Sequence, residues 1–235
     1  MLQGLMAEKI TIPLAERNIN AFYYSDGGEK KPGILFLPDL TGISDTIQES
    51  ANLLSKEGYH VILPDLYSDM GTIRYCMQFL FNEAARENRS TDNPPLQEVH
   101  EMIDFVKGLP QVDSERIGMI GQCLTGGFAL QMAIRPDVKA PVVFHHSLGL
   151  SGSGFADEDA RRVCQTVQGH YVYIDPMCPP AKQKKLQQQL GDKLHHHMYS
   201  QLPHGIPHFF RRNEQGRRAW NTMLTFFRMQ FDDIS

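Results

Sequence analysis

Apolar residues along this chain follow two rhythms, and the two alternate. Glu8 to Pro13 and Asn18 to Tyr24 switch between apolar and polar at every step. That period of two predicts a pair of strands at a sheet edge, antiparallel to each other. Gly33 to Pro38 is a continuous apolar run, as in a strand buried on both faces. Ile47, Ala51 and Leu54 then fall on one helical face, with Asp45 and Gln48 as a capping box and Gly58 as the stop. Tyr59 to Pro64 predicts the next strand. Between Ser68 and Asn93 the pattern weakens to a loop with one or two short helices. Pro94-Pro95 opens a helix carrying Leu96, Val99, Ile103 and Val106, closed by Gly108-Leu109-Pro110.

The second half repeats the alternation. Ile117 to Gly121 predicts a strand, and Leu124 onward a helix ending before Pro136. Ala140 to Phe144 is a strand with His145-His146-Ser147 at its carboxyl end. A Gly/Ser-rich excursion runs from Leu148 to Glu158, then a short helix from Asp159 to Val167. Tyr171 to Ile174 is a strand, Ala181 to Leu190 a helix, Leu194 to Ser200 a last strand, and Gln215 to Met229 a closing helix. Strands alternating with helices predict an α/β fold, a mostly parallel central sheet with helices on both faces. With 235 residues, one domain spanning 1–235 is expected.

Charge and cysteine usage narrow the function. The net charge is -4, with the two signs interspersed, so a nucleic-acid surface is not expected. No apolar run approaches the ~20 residues of a bilayer span. The first residues lack a signal-peptide pattern. Cys76, Cys123, Cys164 and Cys178 form no C-x-x-C pair and no zinc pattern. A reducing, cytoplasmic setting is therefore expected, with neither metal nor cofactor. The three consecutive histidines His195, His196 and His197 lie in a strand, where side chains alternate faces, so they cannot converge as ligands.

The most informative stretch is Ile117-Gly118-Met119-Ile120-Gly121-Gln122-Cys123-Leu124-Thr125-Gly126-Gly127. It reads as strand, sharp turn, helix, with Cys123 on the turn. That is where the nucleophile stands in the elbow of α/β-hydrolases. A buried thiol on a glycine-rich turn is the plainer alternative. A thiolate nucleophile needs a base, and the base needs an acid to orient it. The expected chain order is nucleophile, acid, histidine. Asp175 stands just past one strand, and His208 stands in the loop after the next. His204 competes with His208, and Asp175 before Pro176 is also a natural helix cap. The N–H groups of Leu124, next to the nucleophile, and Leu40, after the Gly33–Pro38 strand, are the candidate oxyanion donors. His145 is a tentative pocket residue.

These segments together resemble the dienelactone hydrolase family of α/β-hydrolases. The likeness covers Ile34 to Gly42, Gly58 to Tyr67, Val112 to Gly127, Asp175 to Pro179, and His208-Phe209-Phe210-Arg211-Arg212 with Ala219-Trp220. It implies a Cys-His-Asp triad of Cys123, His208 and Asp175, a thioester intermediate, and a small ester or lactone as substrate. It favours His208 over His204 because Phe210 supplies the aromatic two places on. It implies that Arg212 holds a substrate carboxylate, and that Asp39 stands where the family usually has a Glu that modulates the thiol. Thr125 departs from the family's usual Gly. A second substrate-binding Arg has no clear match, since Arg74 and Arg86 lie in the weakly patterned segment. A monomer or homodimer is expected. Two other readings stay open: a binding protein that keeps the scaffold without catalysis, and a thiol redox sensor at Cys123.

Overall fold

The computed structural model describes residues 7–69, 71–75, 77, 93–147, 152–200 and 213–232. Eight strands form one sheet: β1 (Glu8–Pro13), β2 (Asn18–Tyr24), β3 (Lys31–Phe36), β4 (His60–Pro64), β5 (Val112–Gln122), β6 (Val138–Phe144), β7 (Val167–Val172) and β8 (Leu194–Tyr199). Their order is β1-β2-β4-β3-β5-β6-β7-β8. The first two strands pair antiparallel, Glu8 opposite Tyr23 and Ile12 opposite Ile19, and β2 runs antiparallel to β4. Every later pairing is parallel. The alternating opening pair and the continuous apolar runs thus take the places expected of them, edge and centre.

Among the described residues, helices α1 (Asp45–Lys56), α2 (Pro94–Gly108), α3 (Leu124–Met132), α4 (Asp157–Arg162), α5 (Pro180–Leu190) and α6 (Glu214–Asp232) flank the sheet. The strand side chains divide by parity between two cores. Leu35, Ile62, Met119 and Val143 meet α2, α3 and α5 on one face. Ile34, Phe36, Val61, Leu63, Ile120, Val142 and Phe144 meet α1 and α6 on the other. A period of two along each strand and a helical stripe on each partner make this division automatic.

Several expected boundaries shift. The N-cap of α1 is Ser44, whose Oγ accepts from the Ile47 N–H at 3.4 Å, and Asp45 stands in the first turn. Strand β7 starts at Val167 and ends at Val172, so Tyr173 and Ile174 lie beyond it. Helix α4 occupies Asp157–Arg162 rather than Asp159 to Val167. A short apolar run marks a strand but not its ends, because register with β6 and β8 fixes those. Of the weakly patterned stretch, 70, 76 and 78–92 lie outside the described residues.

Strand order reverses between β3 and β5. From β3 the chain moves to β4 on one side, and later enters β5 on the other. Ligands of open α/β sheets bind at the carboxyl ends of strands at such a switch. The Leu37 N–H donates to the Ile120 carbonyl at 2.9 Å, which keeps the two strand ends together up to this point.

Candidate active site

Cys123 sits where β5 gives way to α3, with φ 59° and ψ -119°. Left-handed φ at a residue other than Gly costs of order 1–3 kcal/mol and persists only where its surroundings impose it. Here the surroundings are visible. The Cys123 N–H donates to the Phe144 carbonyl at 3.2 Å, and the Cys123 carbonyl accepts from the Ser147 N–H at 3.1 Å. A Cβ at Gly121 would collide with the Thr125 carbonyl, and one at Gly126 with the His145 carbonyl. Both glycines are therefore required by close approach of backbones. Cys123 is 9% exposed, and its Sγ lies 3.4 Å from Ser147 Oγ.

Thr125, the departure from the usual Gly, is fully buried at the centre of this elbow. Its Oγ1 accepts from the Gln122 N–H at 3.0 Å. The same hydroxyl lies 3.0 Å from the carbonyls of Pro38 and Gln122, one of which takes its proton. The residue thus ties the elbow to the end of β3. That role is open to Thr and closed to Gly, and no periodicity in the sequence announces it.

The loop after β3 is built on Asp39. Its Oδ1 accepts from the Thr41 N–H at 2.8 Å and the Thr41 hydroxyl at 2.5 Å, and its carbonyl accepts from the Gly42 N–H at 3.0 Å. This is an Asx turn, which points one carboxylate oxygen back along its own chain. Leu40 is on its outer side and is 41% exposed. Among the described residues no hydrogen bond engages the Leu40 N–H. Leu124 is the first residue of α3, where a backbone N–H has no intrahelical acceptor.

Asp175 follows β7 and is buried. Its Oδ1 accepts from the N–H groups of Met177 at 2.8 Å and Cys178 at 3.1 Å. Its Oδ2 lies 3.1 Å from Nδ1 of His145, with both side chains fully buried. The N–H direction of the ring is oblique to that oxygen, so the contact is a short charge–dipole interaction rather than a straight hydrogen bond. The helix-cap expectation for Asp175 is replaced by this turn, since the residue preceding α5 is Pro179. His145 was expected to line a pocket, and it stands inside the protein against the acid. His208, His204 and Arg212 lie outside the described residues, as does Arg86, while Arg74 is exposed. Ser147 is the neighbour of Cys123 that sequence reasoning left without a role. Its place one strand over from the elbow, at a carboxyl end, was the signal available.

The other titratable groups sort clearly. Burial pushes the Cys178 thiol up to about 12, which keeps it protonated. Cys123, Cys164 and Cys178 are free thiols. His195, His196 and His197 do alternate; His195 is exposed, and His196 and His197 are half-buried. His196 stacks on Tyr171 with ring centroids 4.7 Å apart, and His197 stacks on His170 at 5.4 Å. No cluster suited to a metal ion occurs among the described residues. None of the described helices is long and apolar enough to cross a membrane. A cleft of about 680 Å³ runs between β8 and α6, lined by His195, His197, Arg217 and Arg218 among others, and holds none of the candidate site residues.

A cysteine elbow at the switch point of a mostly parallel eight-stranded sheet defines an α/β-hydrolase. A model of the dienelactone hydrolase family matches residues 19–231, and the chain belongs to that family. A Methylorubrum extorquens protein described as a carboxymethylenebutenolidase is 25% identical over 240 residues, covering 96% of this chain and 81% of that one. The fold is shared with a Klebsiella pneumoniae protein described as a dienelactone hydrolase, at TM-score 0.77, 21% identity, 94% of this chain and 98% of that one. It is shared too with a dienelactone hydrolase-like promiscuous phosphotriesterase from metagenomic libraries, at TM-score 0.79, 18% identity, 96% of this chain and 98% of that one. Family membership makes this protein a hydrolase of ester or lactone bonds.

Proposed function

We propose that this protein hydrolyses a small ester or lactone through a Cys123 thioester, without metal or cofactor. The observation that carries the reading is the left-handed backbone at Cys123, held at the N-terminus of α3. Such strain concentrates at functional sites, and a resting structural thiol has no use for it.

His208 takes the thiol proton, and Asp175 orients His208. The Cys123 thiolate adds to the substrate carbonyl carbon. The carbonyl oxygen becomes an oxyanion facing the N–H groups of Leu40 and Leu124. Collapse breaks the C–O bond, and the leaving alkoxide takes the proton from His208. For a lactone, that alkoxide stays attached to the acyl group. Water then gives a proton to His208 and adds to the thioester, and the acid product departs as the thiolate is restored. A thiolate leaves more readily than an alkoxide can form from an unactivated ester, so activated esters and strained lactones suit this site better than amides. Arg212 holds a carboxylate on the substrate in this reading, as the family resemblance implies, with Asp39 modulating the thiol.

A redox-sensor reading needs a resolving thiol. Cys178 is the cysteine beside the acid turn, and its raised pKa argues against that part. The test is hydrolysis of an activated ester, with thiol alkylation beside it. Cys123→Ala, His208→Ala and Asp175→Asn are each expected to lower kcat/KM by about 100-fold or more. Iodoacetamide is expected to label Cys123 below pH 7 in the parent and slowly in His208→Ala. Undiminished hydrolysis by Cys123→Ala would remove the proposal.

A further inference from the structure

The mechanism above leaves the buried imidazole of His145 unused. His145 is fully buried at the carboxyl end of β6, one place beyond Phe144. Its φ is 54°, so it and Cys123 are the two residues other than glycine with positive φ among those described. Gly adopts this conformation freely; among other residues Asn, Asp and His are the ones enriched in it, still at a cost in backbone strain.

The backbone of His145 is pinned on two sides. Its N–H donates to the His170 carbonyl at 3.0 Å, and its carbonyl lies where Gly126 alone gives room. It therefore moves with the nucleophile elbow and with β7 together. From that anchor, Nδ1 reaches to 3.1 Å from Asp175 Oδ2. The Asp175 carboxylate is an acceptor only, so the nitrogen facing it must carry the proton. The other oxygen, Oδ1, is already spent on Met177 and Cys178.

Tyr173, Ile174 and Met177 flank the acid in sequence and are 60%, 90% and 55% exposed. Rotation of the carboxylate about its Cβ–Cγ bond is opposed by the two backbone donors on one oxygen and by His145 on the other.

We infer that His145 is a positioning residue, which sets the orientation of the Asp175 carboxylate and couples it to the Cys123 elbow. This rests on the Cys123–His208–Asp175 reading above. The residue touches neither substrate nor the reacting atoms. It acts through the acid, which acts through the base.

The test compares two substitutions that share the backbone conformation. His145→Asn keeps a donor, because Asn Nδ2 stands the same number of bonds from Cα as His Nδ1. His145→Gly tolerates positive φ and has no donor. With an activated ester such as p-nitrophenyl acetate, His145→Gly should lose about 10- to 100-fold in kcat with KM within about twofold. His145→Asn should recover kcat to within about fivefold of the parent, by the same positioning argument. On an Asp175→Asn background, adding His145→Gly should cost less than about twofold, because coupled residues are not additive.

Equal kcat in the two variants, an undiminished kcat in His145→Gly, or a full further loss on the Asp175→Asn background would each overturn the inference. His145→Ala replaces the glycine variant should the latter not fold. The two readings fail differently. If Asp175→Asn is fully active, the triad reading falls and takes this one with it. If Asp175→Asn is inactive while His145→Gly is fully active, this inference alone falls.

Discussion

Cys123 shows how a residue type becomes a chemical group through its surroundings. Its thiol is placed by contacts from three strands' ends rather than by anything at position 123 itself. Thr125 carries much of that placement. Thr125→Val is nearly isosteric and removes only the hydroxyl. It leaves the Gln122 N–H without its acceptor in a buried place, and a buried group so stranded costs about 1–3 kcal/mol. Denaturant unfolding should show that loss, and ester hydrolysis should fall with it as the elbow loosens from β3. A variant as stable as the parent would mean that the Thr125 bonds are replaced by others. The strand–turn–helix elbow at Cys123 was readable because the spacing of that residue from its glycines is local. The Thr125 knot was not, since its partner carbonyls at Leu37 and Pro38, just past β3, lie 88 and 87 residues earlier in the chain.

Among the elements, β8 gives the clearest pH prediction. Burial lowers the His196 pKa to about 4, with His197 as a second cause, and burial lowers His197 too. Burial lowers His170 well below its ordinary value, with His197, His145 and His196 adding to it. A ring with a depressed pKa resists protonation in the folded state. The unfolded chain binds the proton first as pH falls below 6.5, the ordinary value. Stability from these rings is complete above that pH and is lost as pH falls towards 4. The melting temperature should therefore drop across this window. His196→Phe keeps a ring over Tyr171 and removes the titration, so it should flatten part of the drop. An unchanged profile would show that the three-histidine strand is not its source. The run His195-His196-His197 was readable as a strand with alternating faces. The stacking of its rings on His170 and Tyr171 was not, because β7 supplies those partners only once the register of β7 against β8 is set.

For the whole molecule, the approach of α6 to the sheet is decided at Gly118. A Cβ there would lie 3.0 Å from Cζ of Phe231 and 3.1 Å from Cε1 of Phe227. Those rings stack at 5.7 Å and pack with Tyr59, closing one of the two cores. Gly118→Val should overpack this face and lower stability by about 1–3 kcal/mol, as insertions into filled cores do. Unfolding by urea measures it. An unaltered midpoint would show that α6 can lift without cost. The same helix follows the segment holding His208 and Arg212, so a fall in activity alongside the stability loss is also expected.

Much of the architecture was open to reading from order and period alone. Continuous apolar runs separated by helical stripes dictate a doubly covered parallel sheet, and alternation in the first two segments dictates an edge pair. The elbow at Cys123 and the position of Asp175 after a strand follow from the same local patterns, because each needs only neighbours in sequence. The pairing of His145 with Asp175, the Thr125 tie to β3 and the stacked histidines needed the tertiary structure. Each is a contact between side chains on different strands, and strand order and register, which no local period encodes, decide which residues meet.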